Sequence, residues 1–174
     1  MRTLNAKIFS WSLFILLMGC SAPRQVVEAP APRVVEKERT INKPFDAVWG
    51  SAIELLATYN MPIKNLDKNS GFISTEYKLI TGNVSDYMIC EGANSTFTGK
   101  VEMANQGGNL NLLLRKVSED STKVTVNVFY SCNANKYRYE NLLSTNYILE
   151  SSTKIDCQST GTLEKAILDY VSGK

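Results

Sequence analysis

Hydrophobic residues recur along two stretches of the chain with the spacing of an α-helix. In residues 45–59 they appear every three or four positions, which predicts an amphipathic helix that begins after Pro44. Residues 163–171 have the same spacing and predict a closing helix, with Ser159 or Thr160 as its N-terminal cap. Each helix has a single apolar stripe, so each needs a partner surface to cover it.

Other short segments alternate apolar and polar residues, which predicts β-strands with one buried and one exposed face. The predicted strands are 34–41, 63–67, 72–77, 97–103, 110–117 and 124–128. Residues 68–71 and 106–109 are rich in glycine and asparagine and predict turns between strands. We therefore predict one α+β domain over 34–174, with an antiparallel sheet of about five to six strands and two helices packed on one face.

The first nineteen residues have the pattern of a secretory signal. Two basic residues precede an uncharged run over 8–18, which is shorter than the roughly 20 apolar residues of a transmembrane helix. The run ends at Leu17-Met18-Gly19-Cys20, which resembles the bacterial lipobox. The sequence predicts a signal peptide over 1–19 and lipidation of Cys20. An ordinary signal peptide cleaved near Ala22 is the alternative interpretation.

A lipidated cysteine would attach the rest of the chain to a membrane surface. Two or three acyl chains, such as palmitate, give stable anchoring where one chain does not. Residues 20–33 then form the lipidated cysteine and a proline-rich tether that holds the domain away from the lipid headgroups. The lipobox resemblance, with Ser21 rather than aspartate after the cysteine, implies an outer-membrane lipoprotein that faces the periplasm.

Composition excludes several kinds of chemistry. Arg2 and Lys7 are the only charged residues before Cys20, and the remainder has equal numbers of basic and acidic side chains. A neutral chain lacks the basic surface that nucleic-acid binding requires, so we expect no nucleic-acid partner. The sequence contains no histidine, which removes histidine-dependent nucleophilic catalysis and the commonest metal ligand. We expect no enzymatic activity, no cofactor and no metal site.

Three cysteines remain after the lipidation site. In an oxidising compartment two of them are expected to form a disulfide and one to stay free. The favoured pair is Cys90–Cys157, which would tie the long loop over 79–95 to the approach of the last helix. The pair Cys90–Cys132 is the alternative.

Two segments are candidates for binding a partner protein. Tyr137, Arg138, Tyr139 and Tyr147 lie in the stretch 133–156, and tyrosine and arginine are enriched at binding hot spots. The alternative is that these tyrosines only cover the core or the sheet edge. The second candidate is the loop over 80–94, because long loops in compact domains are often functional.

Several short motifs give the folded region a likeness to a known envelope family. They are Pro44 to Trp49, Leu55-Leu56, Ile63, Asp67-Lys68, Ser70 to Ile73 and Ser159 to Glu164. With these motifs the chain resembles the domain of BamC-type lipoproteins, which has a helix-grip fold. BamC has two such domains and a long partner-binding N-terminal segment, whereas this chain has one and lacks that segment.

Together these observations predict an accessory or scaffold subunit of an outer-membrane assembly or secretion-type complex. The expected partners are the membrane, through the lipid anchor, and an envelope protein complex. The alternative function is binding of a small apolar ligand in a cavity between helix and sheet. That function predicts an apolar pocket of about 300 Å³ or more with a few polar groups, and a solid core without a cavity would exclude it.

Overall fold

A computed structural model describes residues 34–92, 95–96, 99–141 and 145–174 of the chain. The predicted signal peptide, the lipidation of Cys20 and the tether over 20–33 lie outside the described residues. The helices are α1 (Phe45–Thr58) and α2 (Thr162–Ser172), and a short 3₁₀ turn covers Val84–Asp86. The strands are β1 (Glu38–Ile41), β2 (Ile63–Asp67), β3 (Phe72–Thr75), β4 (Lys78–Leu79), β5 (Met88–Ile89), β6 (Ser95–Thr96), β7 (Gly99–Ser118), β8 (Ser121–Tyr139) and β9 (Tyr147–Ser159).

Two long strands, β7 and β8, form the spine of the sheet. They pair antiparallel along their whole length and are joined by a tight turn at Glu119 and Asp120. β3, β4 and β6 pair with successive parts of β7, and β2 extends the sheet beyond β3. β1 and β9 pair with successive parts of β8, and β5 pairs with the last residues of β9. All of these described pairings are antiparallel.

The first helix forms where the sequence predicts it. Asp46 lies in its first turn, where the helix dipole favours a negative charge. At the other end Asn60 has a φ of 51°, and the N–H of Met61 donates to the carbonyl of Leu56 at 2.8 Å. A left-handed asparagine is a common way to end a helix, so local sequence sets both ends of α1.

Both helices pack on the same hydrophobic core. The core side chains of α1 are buried together with those of α2 and with alternate residues of the long hairpin. They include Val48, Trp49, Ala52, Leu55 and Leu56 from α1, Leu163, Ile167, Leu168 and Val171 from α2, and Leu110, Leu112, Leu114, Val124 and Val126 from β7 and β8. The α+β class, with two helices on a mostly antiparallel sheet, is therefore confirmed.

The number and length of the strands differ from the prediction. Residues 99–103 and the segment 110–117 belong to one strand, β7, because the predicted turn over 106–109 does not form, and residues 97–98 of the first predicted strand lie outside the described residues. Instead the pairing register shifts between Ala104 and Gly107, where Asn105 has a φ of 51°. A bulge of this kind bends a strand without reversing it. The described strands therefore exceed the five or six that were expected.

Glycine is needed at 107 and 108 for close packing rather than for a turn. A Cβ atom on Gly107 would lie 2.4 Å from the carbonyl oxygen of Lys78 in β4. One on Gly108 would lie 2.6 Å from the ring of Tyr130. The two glycines thus let β4 and an aromatic ring approach the β7 backbone. Close approach of other groups, as well as turn formation, is a reason for glycine inside a strand.

Candidate functional site

About a third of the long hairpin lies outside the core that the helices cover, and we call this region, together with part of β9, the arm. It consists of 99–104 in β7, 132–139 in β8 and 147–155 in β9. The side chains of β9 are exposed from Tyr147 to Lys154, whereas alternate residues of β7 and β8 next to the helices are buried. Most of the stretch 133–156, for which the sequence predicted no strand, forms the end of β8 and most of β9.

Three tyrosines and a lysine meet on one face of the arm. The rings of Tyr139 and Tyr147 lie 4.7 Å apart, and their hydroxyl groups are hydrogen-bonded at 3.0 Å. The Nζ atom of Lys100 lies 4.4 Å from the ring centre of Tyr147 and 5.5 Å from that of Tyr137. These are cation–π distances. The hydrogen bond to Tyr139 raises the pKa of Tyr147 above its ordinary value.

Of the four residues predicted to bind a partner, the structure brings three together. Tyr137, Tyr139 and Tyr147 share the face just described, and Leu149 lies opposite Tyr137 on the same face. Arg138 pairs with Ile148, and strand alternation places it on the other face. Lys100 and Leu149 were missed, since only the pairing of β7, β8 and β9 brings these distant positions together.

The outer edge of the arm is an open strand edge. In the described part of the chain, β9 pairs on its outer side only with β5, at Gln158 and Ser159. Tyr147, Ile148 and Leu149 are exposed large hydrophobic residues on this edge. Open strand edges can pair with another chain, and proteins usually protect them with charge, proline or a cover. The tip of β9 therefore combines free backbone groups with apolar side chains.

A disulfide joins β9, at the base of the arm, to the residue that follows β5. Cys90 and Cys157 are bonded, with Cα atoms 4.5 Å apart, which is the pairing favoured from the sequence. Cys132 is a free thiol, 1% exposed, and its Sγ atom lies 3.6 Å from that of Cys157. Burial raises the pKa of the Cys132 thiol. The loop over 80–94, which was predicted as a binding surface, is held to β9 at 88–90 and contains the 3₁₀ turn and β5.

A pocket of about 230 Å³ lies at the end of α1, between this segment and the sheet. Its volume is below the roughly 300 Å³ expected for a ligand-binding module. Most of its wall is apolar or aromatic, and two wider clefts elsewhere are lined mostly by polar side chains. The lining residues include Met61, Leu79, Ile80, Tyr87, Val128, Tyr130 and Leu163.

Tyr130 supplies a polar group that has no hydrogen-bond partner. Its side chain is 5% exposed, and its hydroxyl group finds no partner among the described residues. Burial raises the pKa of Tyr130, and the nearby charge of Glu164 raises it further. A buried hydroxyl without a partner is costly, so a bound molecule that pairs with it gains affinity. Tyr130 is one of the residues that line the pocket.

The buried carboxylate of Glu164 is held at the start of α2. The hydroxyl of Ser159 donates to Oε2 of Glu164 at 2.9 Å and accepts the N–H of Gly161 at 3.0 Å. The other oxygen, Oε1, has no partner among the described residues. The expected cap at Ser159 or Thr160 is wrong, because Gly161 occupies the cap position with a φ of 87°. The hydroxyl of Thr160 donates to the carbonyl of Asp86 at 2.6 Å and accepts the N–H of Thr162 at 3.4 Å.

Neither helix in the described ranges is long and apolar enough to cross a membrane. Comparison of the chain with family models, with curated proteins and with solved structures gives no match.

Proposed function

We propose that this chain is an outer-membrane lipoprotein that acts as an accessory or scaffold subunit of an envelope assembly or secretion complex. Cys20 carries the lipid anchor, residues 20–33 form the tether, and the BamC-like domain docks on a partner protein from the periplasmic side. The role is non-enzymatic. The observation that carries the proposal is the arm, with its open edge and its exposed apolar tip.

The arm fits a partner that adds a strand to the outer edge of β9. In this mode backbone hydrogen bonds give affinity, and pockets for alternate side chains give specificity. Leu149 and the tyrosines would contact one side of the added strand, while Ile148 would contact the other. Tyrosine is among the residues that contribute most to binding energy at interfaces. The proposed occupant is thus an extended segment of an envelope protein.

Charge on the arm gives little attraction for a highly charged partner. Lys136 pairs with Glu150 at 2.9 Å, and Lys100 pairs with Glu102 on the tyrosine face. Such exposed pairs contribute little to stability, but they neutralise one another at the surface. Arg138 and Lys154 leave the arm with two more basic than acidic side chains, so the partner segment is expected to alternate apolar and polar residues and to carry few basic ones.

Copurification from gently solubilised membranes tests this function. Leu149→Lys places a charge on the proposed interface, and Leu66→Lys is the matched control because Leu66 is 53% exposed and Leu149 is 51% exposed. We expect the unmodified chain and L66K to recover the same envelope protein in fixed proportion. The variant L149K should lose at least about tenfold of it, equivalent to 1.4 kcal/mol. Repeated recovery of the lipoprotein alone, or equal recovery by both variants, contradicts the proposal.

The pocket supports a second candidate function, which is binding of a small apolar molecule with one polar group. Its volume exceeds that of an engineered cavity of about 150 Å³ that binds benzene. The unpartnered hydroxyl of Tyr130 would then recognise a hydroxyl group on the ligand.

Toluene and p-cresol form a suitable pair of probes, because they differ by a single hydroxyl group. If the pocket binds as proposed, p-cresol binds more tightly than toluene by about 2- to 10-fold, the value of one hydrogen bond. Tyr130→Phe should abolish that preference and keep toluene binding. Calorimetric titration measures both. Absence of binding by either probe, or a preference that Y130F leaves intact, excludes this function.

A further inference from the structure

Four sulfur atoms converge at the base of the arm. The Sγ atoms of Cys90, Cys132 and Cys157 all lie within 4.8 Å of one another. The Sγ atom of Cys132 also lies 3.6 Å from the Sδ atom of Met103. Cys132 and Met103 project from β8 and β7, and Cys157 projects from β9, so three neighbouring strands hold the cluster in place.

The spacing of the three cysteines is close to that of thiolates bound to one metal ion. Metal–thiolate bonds of about 2.3 Å place sulfur atoms on a single ion about 4 Å apart. Cys132 and Cys157 are already 3.6 Å apart. Cys90 and Cys157 need only to separate once their mutual bond is broken. Reduction of the disulfide would therefore create three thiols around one point with little movement of the strands.

The sulfur atoms of this cluster determine which metal ion it would bind best. Thiolate and thioether sulfur are soft ligands that favour monovalent copper. Zinc prefers four ligands drawn from cysteine, histidine and carboxylate, and among the described residues this cluster holds three cysteines with no histidine or carboxylate as a fourth ligand. The two candidate partners nearest to Cys132 are both sulfur atoms, one from cysteine and one from methionine.

We propose that the reduced chain binds one Cu⁺ ion through Cys90, Cys132 and Cys157, with Met103 as a weaker fourth ligand. The disulfide of the oxidised chain closes this site. Opening it requires a dithiol, whose two sulfur atoms become a disulfide while Cys90 and Cys157 each gain a hydrogen. Cu⁺ then displaces the thiol protons of the cysteines that bind it, and copper does not change its oxidation state.

Bound Cu⁺ would take the place of the disulfide in holding the segment that ends at Cys90 to strand β9. Cys90 ends the segment that supplies Leu79, Ile80 and Tyr87 to the pocket wall, and Cys157 holds it to β9. Cys90 and Cys157 are half-buried, so an ion can reach the cluster from their side, whereas Cys132 is buried. Because thiols must lose protons to bind, the affinity for Cu⁺ falls as the pH falls.

The test uses the full chain purified from membranes. One sample is left oxidised, and another is reduced with dithiothreitol under anaerobic conditions and then freed of the reagent. Both are titrated with Cu⁺ in competition with a coloured copper chelator, and native mass spectrometry counts the bound ions. We expect one tightly bound Cu⁺ in the reduced chain and none in the oxidised chain.

Two variants and one control identify the ligands. Cys132→Ser should weaken binding by more than about 100-fold, since loss of an outer-shell partner alone costs about 10- to 100-fold. Met103→Leu should weaken it less, and Leu66→Lys, at an exposed position of β2, should leave it unchanged. Circular dichroism checks that each variant folds. Equal binding by the oxidised chain, unchanged binding by C132S, or a preference of the reduced chain for Zn²⁺ over Cu⁺ would overturn the proposal.

Discussion

Gly108 illustrates how a single residue shapes both the sheet and the pocket. Its missing side chain leaves room for the ring of Tyr130, which lines the pocket from β8. A β-carbon at this position would also lie 2.7 Å from the carbonyl oxygen of Phe129. Neither the backbone nor a buried ring can move away at low cost, since the interior is closely packed.

Gly108→Ala should therefore destabilise the fold by about 1–3 kcal/mol, the usual cost of overpacking. Gly50→Ala is the control, because nothing lies within 4 Å of its β-carbon position in the exposed middle of α1. Alanine there should stabilise the helix by up to about 1 kcal/mol. Urea unfolding measures both free energies, and equal effects of the two substitutions would contradict this account.

Asp169 of the last helix is paired with Arg39 of the first strand and with Lys165 of its own helix. Its carboxylate lies 2.8 Å from Arg39 and also contacts Lys165. These hydrogen bonds, the one from Lys165 first, lower the pKa of Asp169 below its ordinary value of 3.8. A depressed pKa means that the charged form is favoured in the folded state, so the contribution to stability is present above pH 3.8 and is lost at lower pH.

Asp169→Asn should accordingly lower the melting temperature near pH 7. The difference between D169N and the unmodified chain should shrink as the pH falls below about 4, where the aspartate becomes protonated. Thermal melts over a pH series, followed by circular dichroism, measure this difference. Glu54→Gln serves as a control for removal of one negative charge from an exposed helix position. A difference that stays constant down to the lowest pH would exclude the ion pairs as its cause.

Among the elements, the helices could be predicted from the sequence and the arm could not. The period of the apolar residues in 45–58 reflects burial of one helix face, so it marks α1 directly. β9 is exposed on both faces over most of its length, and residues such as Ser151, Ser152 and Thr153 carry no hydrophobic alternation. Its strand conformation depends on pairing with β8, which no local pattern reports.

The sequence also failed to predict that β7 is one continuous strand, and the reason is related. Two adjacent glycines between polar residues usually indicate a turn, because glycine allows turn geometries at low cost. Here the two glycines are needed because Lys78 of β4 and the ring of Tyr130 pack against the β7 backbone. Lys78 is 29 residues from Gly107 in the sequence, and Tyr130 is 22 residues from Gly108. The same limit applies to the arm surface, where Lys100 and Tyr147 meet only through the long hairpin.

The effect of the disulfide on the free energy of unfolding can be predicted from the length of the loop that it closes. Cys90 and Cys157 are separated by 67 positions, and closing a loop of this length should stabilise the fold by about 4 kcal/mol in the chain-entropy model. The double variant C90A/C157A should lose stability of this order in urea unfolding. Cys132→Ala keeps the disulfide and serves as the control. A loss below about 1 kcal/mol in the double variant would contradict the entropic argument.

Across the whole molecule, burial is uneven. The hydrophobic core lies where α1 and α2 cover the hairpin, and the arm extends beyond that cover. Amide groups in regions with few buried contacts exchange through local opening, whereas core amides require larger unfolding events. The molecule is thus divided into a stable body and an arm whose edge strand opens more easily.

Hydrogen exchange should reveal this division. Amides over 147–154 in β9 should exchange much faster than those over 122–128 in β8, although both segments are hydrogen-bonded in the sheet. Exchange followed by peptide mass spectrometry measures the two segments in one experiment. Addition of the partner recovered from membranes should slow exchange in 147–154 first. Equal protection of both segments in the isolated chain would contradict the proposed arm.

The proposed function depends most on the lipid at Cys20, because the anchor determines which partners the domain can reach. Mass spectrometry of the N-terminal peptide of the chain purified from membranes tests this directly. We expect a peptide that begins at Cys20 and carries the mass of a diacylglyceryl group, usually with a third acyl chain on its amine. A peptide with an unmodified Cys20 thiol, or a chain that still begins at Met1, would contradict it.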